Sequence, residues 1–170
     1  MTISLFSALS LLAVLALVRT TNADTTNIVR IDVKSGLLCL ILPPPKRLIG
    51  DTEDIGQVHC TDGKPKLLPP TFFASKKFLV TEEYVQAWGY MNHEAVGLIN
   101  TDGGGQYDIH RDSGTNVAPG YPVFVELLEP DLRRWCIRFC RKLGPSCNMG
   151  KSTYGCNGAL NITDWPIPPK

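Results

Sequence analysis

Short hydrophobic stretches alternate with polar turns along most of the chain. Residues 27–33 and 122–128 alternate one by one between apolar and polar, and Leu37 to Leu42 is a continuous apolar run that stops at Pro43-Pro44-Pro45. Alternation of this kind predicts a half-buried strand, and a short apolar run bounded by proline predicts a buried one. Further strands are predicted over 57–60, 78–80, 84–90 and 96–99. Short strands about ten residues apart, separated by glycine and proline, predict a mainly β domain, a small sandwich or barrel-like fold.

The segment 128–143 fits two structures. Its apolar residues recur at helical spacing, and Pro130 and Asp131 suit the start of a helix. In the alternative, a hairpin, residues 124–128 turn through Glu129-Pro130-Asp131 into 135–140, so that Cys136 and Cys140 share a face with Arg138 between them. The scarcity of β-branched residues favours the helix. We expect the hairpin, partly because of the family resemblance given below. The predicted mainly β fold leaves room for a short C-terminal helix.

The chain begins with a hydrophobic segment of the kind that directs export. Residues 3–18 are apolar apart from serines, and Arg19 and Thr21-Asn22-Ala23 follow. The run is shorter than the roughly 20 residues that cross a bilayer, and small residues at this spacing suit signal peptidase. We therefore predict a signal peptide at 1–23 and a single secreted, extracellular domain at 24–170, with no membrane insertion after cleavage.

Charge gives little support to electrostatic partners. The 170 residues carry 17 Lys and Arg against 16 Asp and Glu, and loss of residues 1–23 with Arg19 leaves 147 residues with 16 of each sign. A neutral protein has no excess positive charge for a phosphate backbone or an anionic membrane surface. The expected partners therefore do not include nucleic acid.

All six cysteines lie beyond the predicted signal peptide. They are Cys39, Cys60, Cys136, Cys140, Cys147 and Cys156. An even number in an exported chain predicts three disulfides, for which 15 pairings exist. A zinc site is disfavoured because no histidine follows the Cys136-x3-Cys140 pair. Their clustering along the chain favours Cys39–Cys60 and pairing of the other four among themselves, for example Cys136–Cys156 with Cys140–Cys147. The exact connectivity stays open, and the predicted fold is disulfide-stabilised.

A set of short segments resembles, in the same order, a family of secreted fungal proteins described as macrophage-activating glycoproteins. The segments are Leu38-Cys39-Leu40, Ile49-Gly50-Asp51-Thr52-Glu53, Cys60-Thr61, Tyr84-Val85-Gln86, Gly104-Gly105-Gln106-Tyr107-Asp108, Phe124-Val125-Glu126-Leu127-Leu128-Glu129-Pro130, Cys136-Ile137-Arg138-Phe139-Cys140 and Tyr154-Gly155-Cys156. The resemblance implies a disulfide-bonded, often glycosylated fungal protein at the cell surface or the interface with a host, without an established enzymatic activity. The chain departs from the family pattern in a shortened stretch at 109–120 and in the lack of a Trp-Gly pair after the first cysteine.

One group of polar residues could bind a metal ion. Asp108, His110 and Asp112 follow the glycine turn at alternate positions, and on an extended segment their side chains point to the same side. Carboxylates and an imidazole can hold a divalent cation, although such residues are more often part of a polar loop. The acidic segment 49–54 likewise resembles a capped turn more than a calcium site.

Other recognisable catalytic patterns are missing from the sequence. It contains no Gly-x-Ser-x-Gly motif, and an even cysteine count argues against a free thiol nucleophile. Gly103-Gly104-Gly105 lacks the strand and helix context of a phosphate loop, so a turn with positive φ is expected there. We therefore predict no catalytic residue and no cofactor, and an enzyme is the less favoured class.

The remaining features concern the surface. Asn161-Ile162-Thr163 is a sequon for N-glycosylation, which requires exposure. Trp88, Tyr90 and Tyr107 are candidates for an exposed aromatic binding face, whereas Trp135 and Phe139 are expected in the core.

Two functions follow from these features. The first is a secreted fungal protein that acts by binding a host protein or a cell-wall glycan, effector-like, in virulence or in the modulation of host immunity. The alternative is a small secreted metal-dependent hydrolase that uses Asp108, His110 and Asp112. The sequence has no motif that decides whether the exported protein enters host cells.

Overall fold

The chain folds into two main β-sheets and one short helix. The computed structural model describes residues 28–108, 116–117 and 120–167, so the predicted signal peptide at 1–23 lies outside the described residues. Within these ranges the fold is mainly β, and the sheets do not close into a barrel. The predicted mainly β fold with a short C-terminal helix is therefore confirmed, in its open, two-sheet form.

The strands and helices are short. The strands are β1 (Ile28–Val29), β2 (Ile31–Asp32), β3 (Leu37–Leu42), β4 (Gln57–Cys60), β5 (Lys66–Leu67), β6 (Lys77–Val80), β7 (Tyr84–Tyr90), β8 (Gly105–Asp108), β9 (Asn116–Val117), β10 (Val123–Glu129) and β11 (Arg134–Cys140). The 3-10 helices of the described residues are Ile49–Asp51, Pro70–Phe72, His93–Val96, Pro130–Leu132, Pro145–Cys147 and Ser152–Tyr154, and the α-helix α1 is Gly155–Leu160. In the part of the chain that the structure describes, no helix is long and apolar enough to cross a membrane.

A hairpin occupies the centre of the larger sheet. This antiparallel sheet has the order β6-β7-β11-β10-β8, and β10 pairs with β11 from Val123 opposite Cys140 to Glu129 opposite Arg134. Pro130 begins the connecting 3-10 turn, and Arg133 closes it with a φ of 54°. The hairpin expected over 124–140 is confirmed. The competing helix over 131–143 is wrong, because β7 supplies a full ladder partner for β11.

The smaller sheet has the order β2-β3-β4-β5. The alternating segment 27–33 contributes to it only in part, because it changes partners at Arg30: β1 pairs in parallel with β9, whereas β2 pairs with β3. One predicted strand is absent in this half of the molecule. Val96 is the last residue of the 3-10 helix His93–Val96, and Gly97 follows it with a φ of 71°. The backbone N–H of Leu98 donates to His93 O instead of to a neighbouring strand. That prediction was wrong because a left-handed glycine ended the extended conformation.

The hydrophobic core has two layers, one on each face of the larger sheet. On β11, Trp135, Ile137 and Phe139 belong to the layer between the two sheets, and both predicted core aromatics are 0% exposed. The opposite face contributes Cys136 and Cys140 to a second layer, which α1 and the C-terminal segment cover. All seven residues of β10 are buried, so its alternation separates two buried faces.

The three disulfides agree with the expected division into one N-terminal bond and two bonds among the four C-terminal cysteines. Cys39 pairs with Cys60, Cys136 with Cys156 and Cys140 with Cys147, and no described cysteine is free. The first joins residues directly opposite each other on β3 and β4. The other two attach the C-terminal segment to β11.

Candidate functional site

The structure describes one of the three predicted metal ligands. Asp108 is the last residue of β8, and its Oδ2 accepts a hydrogen bond of 2.6 Å from Gln106 Nε2. His110 and Asp112 lie outside the described residues. Among those described, no three His, Cys, Asp or Glu side chains are grouped so as to hold a metal ion. The metal site, and the hydrolase built on it, therefore stay a prediction.

Asp108 lies beside a cleft whose walls are largely glycine. The cleft, of about 300 Å³, is lined by Gly50, Glu53, Gly103, Gly104, Gly105, Gln106, Leu127, Leu128, Glu129, Ser152, Thr153 and Gly155. A smaller recess of about 190 Å³ adjoins it and is lined by Glu53, Gln106, Tyr107, Asp108, Met149 and Ser152. Because the two share Glu53, Gln106 and Ser152, we treat them as one site and call it the glycine cleft.

The sequence Asp102 to Gly105 forms one wall of the glycine cleft. Gly104 has a φ of 102°, and a Cβ there would overlap the carbonyl oxygen of Leu128 on β10. A Cβ on Gly105 would come within 2.7 Å of Ile49 Cγ2. The buried carboxylate of Asp102 holds the backbone of Gly104 and of Ile49 in place, since it accepts hydrogen bonds of 2.9 Å from Gly104 N and from Ile49 N. The glycine turn expected here, with a positive φ, is confirmed at Gly104.

Gln106 faces the glycine cleft with a fixed orientation. Its side-chain amide donates to Asp108 Oδ2 and to Met149 O, both at 2.6 Å. Since both neighbours only accept, the amide cannot be reversed without losing both bonds. Its Oε1 is then left buried without a hydrogen-bond partner, on a side chain that is only 7% exposed.

Glu129 supplies a second unpartnered acceptor to the cleft. It ends β10, is 9% exposed and accepts a hydrogen bond from the backbone N–H of Cys156. Its Oε2 is buried and has no partner. Burial raises the pKa of Glu129, and Arg134, its cross-strand neighbour, opposes this shift only in part. Gly155 makes the arrangement feasible, because a Cβ there would overlap Glu129 Oε1.

Two unpartnered acceptors on one cleft are unusual. A buried polar atom without a hydrogen bond typically costs about 1–3 kcal/mol, and most such atoms in folded proteins are paired. Gln106 and Glu129 both line the 300 Å³ cleft, so a donor that enters the cleft would relieve this cost at each of the two atoms that it reaches. Neither residue was predicted as functional, because their proximity depends on the pairing of β8 with β10, where Gln106 lies opposite Leu127.

A second cleft, of about 440 Å³, contains Arg138. Arg138 is 5% exposed and donates to Gln86 Oε1 at 2.7 Å and to the carbonyl oxygens of Ser146 and Leu160 at 2.6 Å. Its guanidinium also lies 4.0 Å above the ring of Tyr84. Burial lowers the pKa of Arg138. These contacts join the C-terminal segment to the sheet, so we interpret Arg138 as structural.

The predicted aromatic binding face is not formed. Trp88 and Tyr107 are 4% and 2% exposed and belong to the two core layers, so that prediction was wrong for both. Trp88 lies on the interior strand β7 and Tyr107 on the edge strand β8, and core layers cover both faces of this sheet. Tyr90 is partly exposed and contacts Trp165, with ring centroids 5.6 Å apart.

The glycosylation sequon is exposed. Asn161 follows the last residue of α1 with a φ of 51°, and the side chains of Asn161 and Thr163 both face solvent. This meets the structural requirement for modification, which remains a prediction.

Comparison of the chain with protein families, with curated proteins and with solved structures finds no match.

Proposed function

We propose that the protein is secreted and acts by binding at a cell surface or host interface, effector-like, with the glycine cleft as its recognition site. The observation that carries this proposal is the pair of buried, unpartnered acceptors, Gln106 Oε1 and Glu129 Oε2, on the wall of an open cleft. A ligand that supplies donors there would gain hydrogen bonds that the free protein lacks. The expected partner is a host protein or a cell-wall glycan.

Three disulfides support the extracellular part of the proposal. Disulfides persist in oxidising compartments and are rare in the cytosol. The resemblance to secreted fungal proteins supports a role at a surface, and the exposed sequon is consistent with passage through a secretory pathway.

The proposal is tested by measuring retention of the oxidised, exported protein on intact host cells and on isolated wall polysaccharide. We expect retention on one of them, and a loss of retention for Glu129→Gln but not for Glu82→Gln, since Glu82 is exposed and does not line the cleft. Retention no greater than that of a reduced and alkylated control would contradict a binding function.

We also propose that Asn161 carries an N-linked glycan. Expression in a eukaryotic secretory host is expected to give a protein whose mass exceeds that of the chain by one glycan. Thr163→Ala abolishes the sequon and should remove the extra mass, whereas Thr163→Ser preserves it and should retain the mass. An identical mass for both variants, measured by intact-protein mass spectrometry, would refute the modification.

A further inference from the structure

We propose that the glycine cleft binds a primary ammonium group, presented as the lysine side chain of a peptide or protein partner. This inference rests on the proposed binding function and names the ligand chemistry of the same site. It starts from Gln106 Oε1 and Glu129 Oε2, which are both acceptors, both buried and both unpartnered.

Charge at the glycine cleft favours a cation. The described residues that line it include the carboxyl groups of Glu53, Asp108 and Glu129 and no Lys, Arg or His. Arg134 faces Glu129 across the hairpin and forms no ion pair with it. The Arg134 guanidinium lies instead 4.6 Å above the ring of Trp165. The Glu129 carboxyl group therefore lacks a salt bridge to its cross-strand arginine.

The hydrogen-bonding inventory distinguishes an ammonium from a hydroxyl. An ammonium offers three donors and no acceptor, whereas a hydroxyl or a water molecule brings acceptor lone pairs as well as donors. The donors of the Gln106 amide are already engaged by Asp108 and Met149. A ligand that only donates matches the two open positions, and its positive charge makes the bond to a carboxylate stronger than a neutral one.

The shape of the cleft favours an unbranched aliphatic chain over a sugar ring. The aromatic rings that commonly stack on sugar rings are absent from the described lining of the 300 Å³ part, and Tyr107 lines only the smaller recess. At Gly50 and Gly103 the wall is bare backbone, since a Cβ there would meet nothing within 4 Å, whereas the Cβ positions of the other three glycines are filled by the protein itself. A glycine wall lets a narrow methylene chain approach closely, and lysine carries its ammonium on four methylene groups. Among the two expected partner classes, these observations favour a protein.

The test uses ¹⁵N NMR of the oxidised, exported protein with a tripeptide that has a central lysine and blocked ends. We expect the peptide to shift the side-chain amide resonances of Gln106 and the backbone amides of Gly103 to Gly105. The same tripeptide with an Nε-acetylated lysine, which lacks the charge and two donors, should bind about tenfold or more weakly. This comparison needs no variant of the protein, so it does not depend on the folding of a mutant.

Variants then locate the site. Glu129→Gln should weaken binding of the lysine peptide about tenfold, whereas Glu82→Gln should leave it unchanged. Equal shifts from the lysine and acetyl-lysine peptides, or none at millimolar peptide, would overturn the inference and leave bound water as the occupant of the cleft. So would tight lysine binding that Glu129→Gln does not weaken.

Failure of this inference is distinguishable from failure of the proposed function. Retention on a cell surface that depends on Glu129 but is not competed by the lysine peptide would retain the binding function and reject the ammonium ligand. Peptide binding without retention on any surface would retain the ammonium ligand and reject the proposed function at a cell surface.

Discussion

The most unusual residue in the core is Glu126, a carboxyl group between the two sheets. It is 0% exposed, and its oxygens lie 2.9 and 3.1 Å from the backbone nitrogen of Ile41, which donates to them. On the same edge of β3, Cys39 donates to Arg30 O. Glu126 therefore takes the place of a strand partner where the neighbouring strand ends. Burial raises the pKa of Glu126 well above its ordinary value of 4.5.

The raised pKa predicts a pH-dependent loss of stability. Above pH 4.5 the unfolded chain releases the proton while the folded chain keeps it, so the free energy of unfolding falls as pH rises toward the folded pKa. Glu126→Gln keeps an acceptor for Ile41 N–H and cannot ionise. We expect its stability relative to the native protein to increase with pH, by at most about 1.4 kcal/mol per pH unit.

Urea unfolding between pH 4 and pH 8, with the disulfides intact, measures this difference. Asp102 and Glu53 are the other two carboxyl groups that, like Glu126, interact electrostatically with the Tyr107 hydroxyl. Both are present in the native protein and in Glu126→Gln, so their contributions cancel in the difference between the two. Glu82→Gln, at an exposed site, should show a flat difference. A flat difference for Glu126→Gln as well would mean that the folded pKa is not raised.

Arg138 is the corresponding buried cation on the opposite face of the sheet. Lysine at this position retains the charge but cannot reach Gln86, Ser146 and Leu160 with one planar group. We expect Arg138→Lys to lower the free energy of unfolding by about 3 kcal/mol. Arg47→Lys, at an exposed position, should change it by less than about 0.5 kcal/mol. Similar midpoints for the two variants in urea would show that the contacts of Arg138 do not stabilise the fold.

At the scale of elements, the triple glycine before β8 contains a matched pair of positions. A Cβ on Gly104 would overlap Leu128 O at a φ of 102°, whereas a Cβ on Gly103 would meet nothing within 4 Å. We expect Gly104→Ala to lower the free energy of unfolding by about 2 kcal/mol or more, and Gly103→Ala to change it by less than about 1 kcal/mol. Thermal unfolding of the two variants measures the contrast, and equal melting temperatures would refute the close approach of β8 to β10.

The secondary-structure elements also show which features of the fold sequence patterns can predict. The hairpin of β10 and β11 was predictable because its alternation and its Glu129-Pro130-Asp131 turn are local signals. The 3-10 helix at His93–Val96 was missed because apolar residues at 96–99 resemble a strand, while the deciding feature is the left-handed conformation of Gly97. The glycine cleft could not be predicted from periodicity, since Gln106 and Glu129 meet only through the register of β8 on β10.

At the scale of the whole molecule, the fold is a two-sheet sandwich with a third layer added at its C-terminus. The number of disulfides and their division into one N-terminal and two C-terminal bonds followed from the spacing of the cysteines, whereas the pairing of the four C-terminal cysteines did not. The structural roles of the disulfides also did not follow from the spacing, because each role depends on which layers of the fold the bond joins. Cys39–Cys60 lies within the smaller sheet, where the β3–β4 ladder already holds the same residues opposite each other. Cys136–Cys156 instead connects β11 to α1.

These two disulfides close loops of nearly equal length, with separations of 21 and 20 residues. The loop-closure entropy of the unfolded chain therefore predicts that each bond stabilises the fold by about 3 kcal/mol. Any difference between the effects of removing them must come from the elements that each bond joins. We expect Cys136→Ala with Cys156→Ala to increase hydrogen exchange selectively in residues 145–160, because the C-terminal layer loses its attachment to β11. Cys39→Ala with Cys60→Ala should instead raise exchange throughout the molecule, in proportion to the lost global stability. Mass spectrometry of exchanged peptides measures both patterns. If the two double variants gave the same pattern, the C-terminal layer would unfold together with the sandwich, and the glycine cleft, which Ser152 and Gly155 of that layer help to line, would persist only as long as the whole fold does.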